Sequence, residues 1–183
     1  MTTALLLIDF QNDYFPGGRM EVAGSPAASL EARKLLDVFR ARALPVIHVQ
    51  HVAARPGATF FLPGTPGAEI HANVTPLPVE PVVVKHFPNS FRETELLAML
   101  REKGVERLVI CGMMTHMCVD ATVRAAFDLG FACTVVHDAC ATRNLVFNGV
   151  ETPAPQVQAA FLAALAAVYG KVASAAEVAL AAF

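Results

Sequence analysis

Leu108-Val109-Ile110-Cys111-Gly112-Met113-Met114-Thr115-His116-Met117-Cys118 is the stretch on which the fold turns. Its first four residues form a short apolar run of the kind found in a strand buried on both faces. A glycine-containing turn follows. From about His116 to Leu129 the residues Val119, Val123, Ala126 and Phe127 then mark one helical stripe, with Gly130 placed just beyond it as a stop. Strand, turn and helix in this order are one element of the βαβ pattern around a parallel sheet.

Working outward, further apolar runs predict strands at Ala4 to Asp9, Pro45 to His51, Val82 to Lys85, Ala132 to Val136 and Tyr169 to Val172. With Leu108 to Cys111 they make an open six-stranded parallel sheet, and the chain reads as one α/β domain over residues 1–183 with helices on both faces. Helices are expected at Ala27 to Ala43, Glu93 to Lys103 and Ala154 to Val168, with a short last one after the capping box of Ser174 and Glu177. The uncharged run Ala159 to Tyr169 is too short and Ala-rich to cross a bilayer and reads as a buried helix. The stretch from Ala53 to Pro81 holds six of the twelve prolines and the pair Phe60-Phe61, so it reads as a long loop able to roof a site.

Composition removes several functions. A formal net charge of -2 with no basic block argues against nucleic acid as a partner. Asp9 interrupts the apolar N-terminal run, which lacks a basic leader, so it is not a signal peptide and a cytoplasmic chain is expected. Cys111, Cys118, Cys133 and Cys140 match neither a CxxC metal pair nor a secreted disulfide framework and are expected to be reduced thiols. The 55% hydrophobic content fits a chain that covers part of its surface with further copies of itself, a homo-oligomer.

In open parallel sheets ligands bind beyond the carboxyl ends of the strands. Three such ends carry a reactive group here: Asp9 after Leu5 to Ile8, Lys85 after Val82 to Val84, and Cys118 across the turn after Cys111. Thr115 is a natural N-cap and would set Cys118 in the first helical turn, where the helix dipole and a nearby ammonium favour thiolate over thiol. Each residue also has a plainer reading: Cys118 as a small buried hydrophobe, Asp9 as a turn acceptor and Lys85 as an edge charge. Their joint placement is what points to chemistry on a small-molecule substrate.

Leu7-Ile8-Asp9-Phe10-Gln11-Asn12-Asp13, then Lys85 with Ser90, Phe91 and Thr94, then Gly112 to Cys118 together resemble the isochorismatase-like cysteine hydrolase superfamily over about Ala4 to Val178. The resemblance implies a triad at Asp9, Lys85 and Cys118. It also implies a cis peptide before Met114 and an oxyanion hole from the N-H groups of Met114 and Cys118. The activity it implies proceeds through a thioester on Cys118, without a cofactor.

Nicotinamidases of this superfamily carry a metal site resembling Asp-x-His after the second strand. The corresponding residues here are His48-Val49-Gln50-His51, whose two histidines face opposite sides of a strand; His71 could lie nearby, but zinc needs convergent ligands and no metal is expected. Isochorismatases proper, which cleave a vinyl ether, generally lack the cysteine, so its presence favours hydrolysis of an amide, carbamoyl or ureido C-N bond. Phe15, Phe60, Phe61 and His116 are the candidate pocket residues, because pockets are mostly apolar with a few polar anchors.

Overall fold

The computed structural model describes residues 2–181. Its strands are β1 (Thr2–Ile8), β2 (Val46–His51), β3 (Val82–Lys85), β4 (Val105–Met113), β5 (Ala132–Ala141), β6 (Leu145–Phe147), β7 (Val150–Thr152) and β8 (Lys171–Ala173). Its helices are α1 (Ser25–Ala41), α2 (Leu96–Glu102), α3 (Asp120–Asp128), α4 (Ala154–Val168) and α5 (Ala175–Leu180). Six strands form one sheet in the order β3-β2-β1-β4-β5-β8, and every pairing in it is parallel.

The chain moves outward from β1 to β2 and β3, then crosses back to β4 and moves the other way. Since crossovers between parallel strands are right-handed, that reversal divides the helices between the two faces. α1 packs on β1, β4 and β5 and against α5, while α3 packs on β5 and against α4. β1 and β4 are central and closed off from water, with Ala4 to Ile8 and Leu108 to Met113 all buried. The point where strand order reverses lies between these two strands, and a doubly wound sheet opens its ligand crevice there.

β4 and β5 outrun the apolar runs that announce them. Their ladder breaks after Ile110↔Val135 and resumes at Gly112↔Cys140, so an irregularity in β5 carries pairing on to Ala141. The hairpin of β6 and β7 is absent from the sequence reading although Asn148-Gly149 signals it. Both residues have positive φ, 50° and 77°, as a two-residue type I′ turn requires.

The expectation of a buried helix at Ala159 to Tyr169 is wrong. Within α4 only Ala154, Val157 and Leu165 are buried, and Val168 is 60% exposed. A helix of 15 residues is about 22 Å long, whereas the strand after it has only three residues to pack beneath it. Among the described residues no helix is long and apolar enough to cross a membrane.

One close approach sets the centre of the sheet. Gly112 has φ 143°, and a Cβ there would lie 2.1 Å from the carbonyl oxygen of Ile8, the residue before Asp9. Gly112→Ala is therefore expected to destabilise the fold by about 3 kcal/mol. A thermal melt checks this; an unchanged midpoint would mean that β1 and β4 separate at little cost.

Candidate active site

Asp9 follows the buried strand β1 in the left-handed region, at φ 53°, a conformation Asp tolerates better than most residues. Its N-H donates to the Val49 carbonyl at 3.0 Å and its carbonyl accepts from the Gln11 N-H at 2.9 Å, so the backbone turns sharply. Lys85 ends β3 on the inward parity of the strand, where Val83 and Lys85 are buried between exposed Val82 and Val84. Directly across the ladder from Lys85 stands His51, the last residue of β2.

Cys118 arrives differently from the sequence expectation. Thr115 to Val119 form one turn of π-helix whose N-cap is Met114, and Thr115 lies inside it. The Thr115 hydroxyl donates to the carbonyl of Ala141 at 3.2 Å, fastening the turn to β5, so Thr115 is not an N-cap. The wide turn is closed by Val119 N-H donating to the Met114 carbonyl at 3.3 Å. The Met113–Met114 peptide is cis. Cys118, 4% exposed, is the fourth residue of this turn, and α3 continues the helix beyond it.

The three chain segments meet at the Lys85 ammonium. Its Nζ lies 2.8 Å from Asp9 Oδ2, 3.3 Å from Cys118 Sγ and 2.9 Å from His51 Nδ1. An ammonium has three protons and no lone pair, so all three contacts are donations from Lys85, and His51 Nδ1 is an unprotonated acceptor. Asp9 Oδ1 is buried with no hydrogen-bond partner among the described residues.

Charge follows from this arrangement. Burial works against the charge on Lys85, but Asp9 and then Cys118 outweigh it and hold the ammonium above the ordinary lysine value. Burial, with Lys85 next, pushes the His51 imidazole down to about 4, so it is neutral at physiological pH. Burial and then Asp9 raise the Cys118 thiol, and Lys85 only partly opposes them. Burial and Asp9 thus favour the thiol, against the pull toward thiolate that the helix end and the ammonium exert.

The roof is built by the segment from Ala53 to Pro81, laid along Phe10 to Asp13. His71 N-H donates to the Phe10 carbonyl at 2.8 Å and Asn12 N-H to the Glu69 carbonyl at 3.0 Å. Asp13 accepts the Phe61 N-H at 2.6 Å, holding Phe61 in the left-handed region, and Gly67 packs directly against the Asp13 carboxylate. Phe61 is buried, its ring 4.6 Å from that of Tyr14 and 5.9 Å from that of His51, and Phe60 packs on the same group. Tyr14 is kept protonated by burial and by Cys118 and Asp9 nearby.

The remaining candidates have partners of their own. Phe15 stacks on His71 at 3.6 Å, and His71 Nδ1 accepts from Asn73 N-H. His116 pairs through Nδ1 with the Thr142 hydroxyl at 2.6 Å, with its ring edge-on to Phe161. His48 faces away, as its strand parity requires, and bonds Glu80 at 3.1 Å beside Arg40.

Sequence reasoning missed Gln11, Tyr14 and the place of His51. The signal for His51 was its parity opposite to His48, which puts it on the side of the sheet that Lys85 shares. A donor atom each from Asp9, His51 and Cys118 lie within 4.8 Å of one another, which could suit a metal ion. Lys85 already touches all three residues, and its ammonium repels a divalent cation at that point, so the set does not fit a metal.

Comparison with known proteins identifies the family. The chain is 54% identical over 172 residues to the uncharacterized isochorismatase family protein YddQ of Bacillus subtilis (strain 168), covering 94% of this chain and 96% of that one. It is 40% identical over 143 residues to a streptothricin hydrolase of Streptomyces noursei, a match spanning 78% of this chain and 50% of that longer protein. A crystal structure from Oleispira antarctica assigned to the isochorismatase hydrolases superposes with a TM-score of 0.95 at 52% identity, covering 98% of this chain and 97% of that one. The isochorismatase domain matches residues 3–177, and with these relatives it shows that the chain belongs to the isochorismatase family of hydrolases.

Proposed function

We propose that this hydrolase is a metal-independent cysteine amidohydrolase, acting in the cytoplasm on the C-N bond of a small amide, carbamoyl or ureido compound. The observation that carries the reading is the Lys85 ammonium bonded at once to Asp9 at 2.8 Å and to Cys118 at 3.3 Å, all three buried. A thiol, a carboxylate and a cation in one dry site are the parts of nucleophilic catalysis with an internal base. Streptothricin hydrolase, by its name a hydrolase of streptothricin, is a relative consistent with this class of substrate.

In the proposed reaction Cys118 Sγ attacks the substrate carbonyl carbon while its proton passes to Asp9, whose unpartnered Oδ1 has a lone pair to take it. The transfer leaves the site's net charge unchanged: thiol and carboxylate become sulfur bonded to carbon and carboxylic acid, and the negative charge moves to the carbonyl oxygen. The N-H groups of Met114 and Cys118 receive that oxyanion, at the cis peptide and the start of the helix respectively. Collapse breaks the C-N bond as Asp9 returns its proton to the leaving nitrogen, and ammonia or an amine departs. Water, deprotonated by Asp9, then opens the thioester, and Cys118 recovers its proton.

Vinyl-ether hydrolysis of isochorismate needs no nucleophilic sulfur. Cys118→Ala is therefore expected to abolish ammonia release from small amides, carbamoyl and ureido compounds while leaving the melting temperature within a few degrees; retained turnover would sink the thioester route.

A second test reads the thiols directly, by alkylation and mass spectrometry across pH. Burial raises Cys111, and pushes Cys133 and Cys140 up to about 12, so their rates should climb with pH. Cys118, though also raised, has a base beside it, so it is expected to react faster than the other three at neutral pH and with a flatter pH dependence. Asp9→Asn should remove both differences. If Cys118 behaves like its three companions in the unaltered enzyme, Asp9 does not serve it as base.

A further inference from the structure

We propose that His51 is a positioning residue of this site: its neutral imidazole takes the third proton of the Lys85 ammonium and so aims the other two at Asp9 and Cys118. The inference rests on the triad reading above and adds to it a fourth side chain, which acts through Lys85.

The geometry is over-determined from every side. Lys85 is fully buried, where an unpaired N-H of a charged group is costly, and among the described residues its ammonium meets three acceptors: Asp9 Oδ2, Cys118 Sγ and His51 Nδ1. Without His51 the third N-H would be left unpaired in a dry site, at the cost of a buried charged donor. The third contact, from a different strand, supplies that acceptor and restrains where Nζ can lie relative to Asp9 and Cys118. The contact at 2.9 Å requires Nδ1 without a proton, which places the ring proton on Nε2.

His51 is itself held. Gln11, fully buried, accepts the His51 N-H at 2.7 Å through Oε1 and donates from Nε2 to the His51 carbonyl at 2.8 Å. Its second amide proton goes to the Ala68 carbonyl at 2.7 Å, which ties the same clamp to the roof. The ladder pairing of His51 with Lys85 sets the strand position, and Phe61 packs 5.9 Å from the ring. A solvated strand-end histidine would need none of this. The arrangement keeps an uncharged acceptor at a point where an aspartate or glutamate would bring a second anion and compete with Asp9 for the lysine.

The test compares His51→Ala with His51→Asn, because Asn carries a carbonyl oxygen on the same branch as Nδ1 and can accept from Lys85. Expected for His51→Ala is a fall in kcat on the order of tenfold to a hundredfold, the equivalent of one charge-assisted hydrogen bond, with KM little changed. The alkylation rate of Cys118 at neutral pH should fall as well, read without any substrate. His51→Asn should recover most of both losses.

A structural role alone predicts a lower melting temperature, with Cys118 alkylation unchanged in the fraction that remains folded. Equal losses for Ala and Asn, or an Ala variant whose kcat and alkylation rate match the parent, would overturn the proposal. These outcomes are distinct from failure of the thioester route, which shows as turnover surviving Cys118→Ala.

Discussion

A lysine with no exposed surface has to be surrounded by acceptors, and this requirement organises the site. Withdrawing an ammonium from water costs several kcal/mol unless the protein replaces the lost hydration. Here a carboxylate, a thiol sulfur and an imidazole nitrogen replace it, one for each proton. Only one of the three is an anion, so the resting cluster is neutral. A thiolate beside the Asp9 carboxylate would leave one uncompensated negative charge in a dry pocket, which is why burial and Asp9 together raise Cys118. In the proposed mechanism Cys118 is thus held in reserve as a thiol, and proton transfer to Asp9 accompanies the attack.

The topology explains how distant residues reach one ammonium. Asp9 leaves β1, Cys118 follows β4, and these strands are neighbours at the switch point; Lys85 and His51 come from β3 and β2, paired beside β1. Parallel strands bring all four carboxyl ends to the same edge of the sheet. The central contact must also be close, and Gly112 allows it, since any side chain there would meet the backbone of Ile8. Asp9 can then turn its carboxylate under the helical turn that carries Cys118.

Much of this was legible in the sequence, and the remainder fails for identifiable reasons. The strands bearing Asp9, Lys85 and Cys118 show as apolar runs because both their faces are covered, and a residue at the end of such a run sits at the edge of the sheet. Strand parity separated His51 from His48, yet it could not show that Lys85 would face His51, because β2–β3 register is set by three-dimensional pairing. The upward pull on the Cys118 thiol was not legible for a similar reason: the helix end and the lysine are local cues, whereas burial is a property of the whole fold. Thr115 has the side chain of an N-cap but spends it on Ala141, a carbonyl on β5 that local sequence cannot place nearby. The outward face of α4 was misjudged because an alanine-rich pattern has the same composition whether covered or not.

Three donors converging within 4.8 Å would make a metal-binding geometry if the central cation were a metal ion. In this protein that place is taken by a cation on the chain itself, fixed by β3. The substitution has a chemical consequence. A divalent metal can polarise a carbonyl by direct coordination, whereas an ammonium whose three protons are already engaged has none left for the substrate oxygen. Stabilising the oxyanion therefore falls to groups outside the triad, and backbone N-H groups are the donors that can serve without adding charge. In the proposed reaction the N-H groups of Met114 and Cys118 take that part, so its division of labour follows from how completely Lys85 is used.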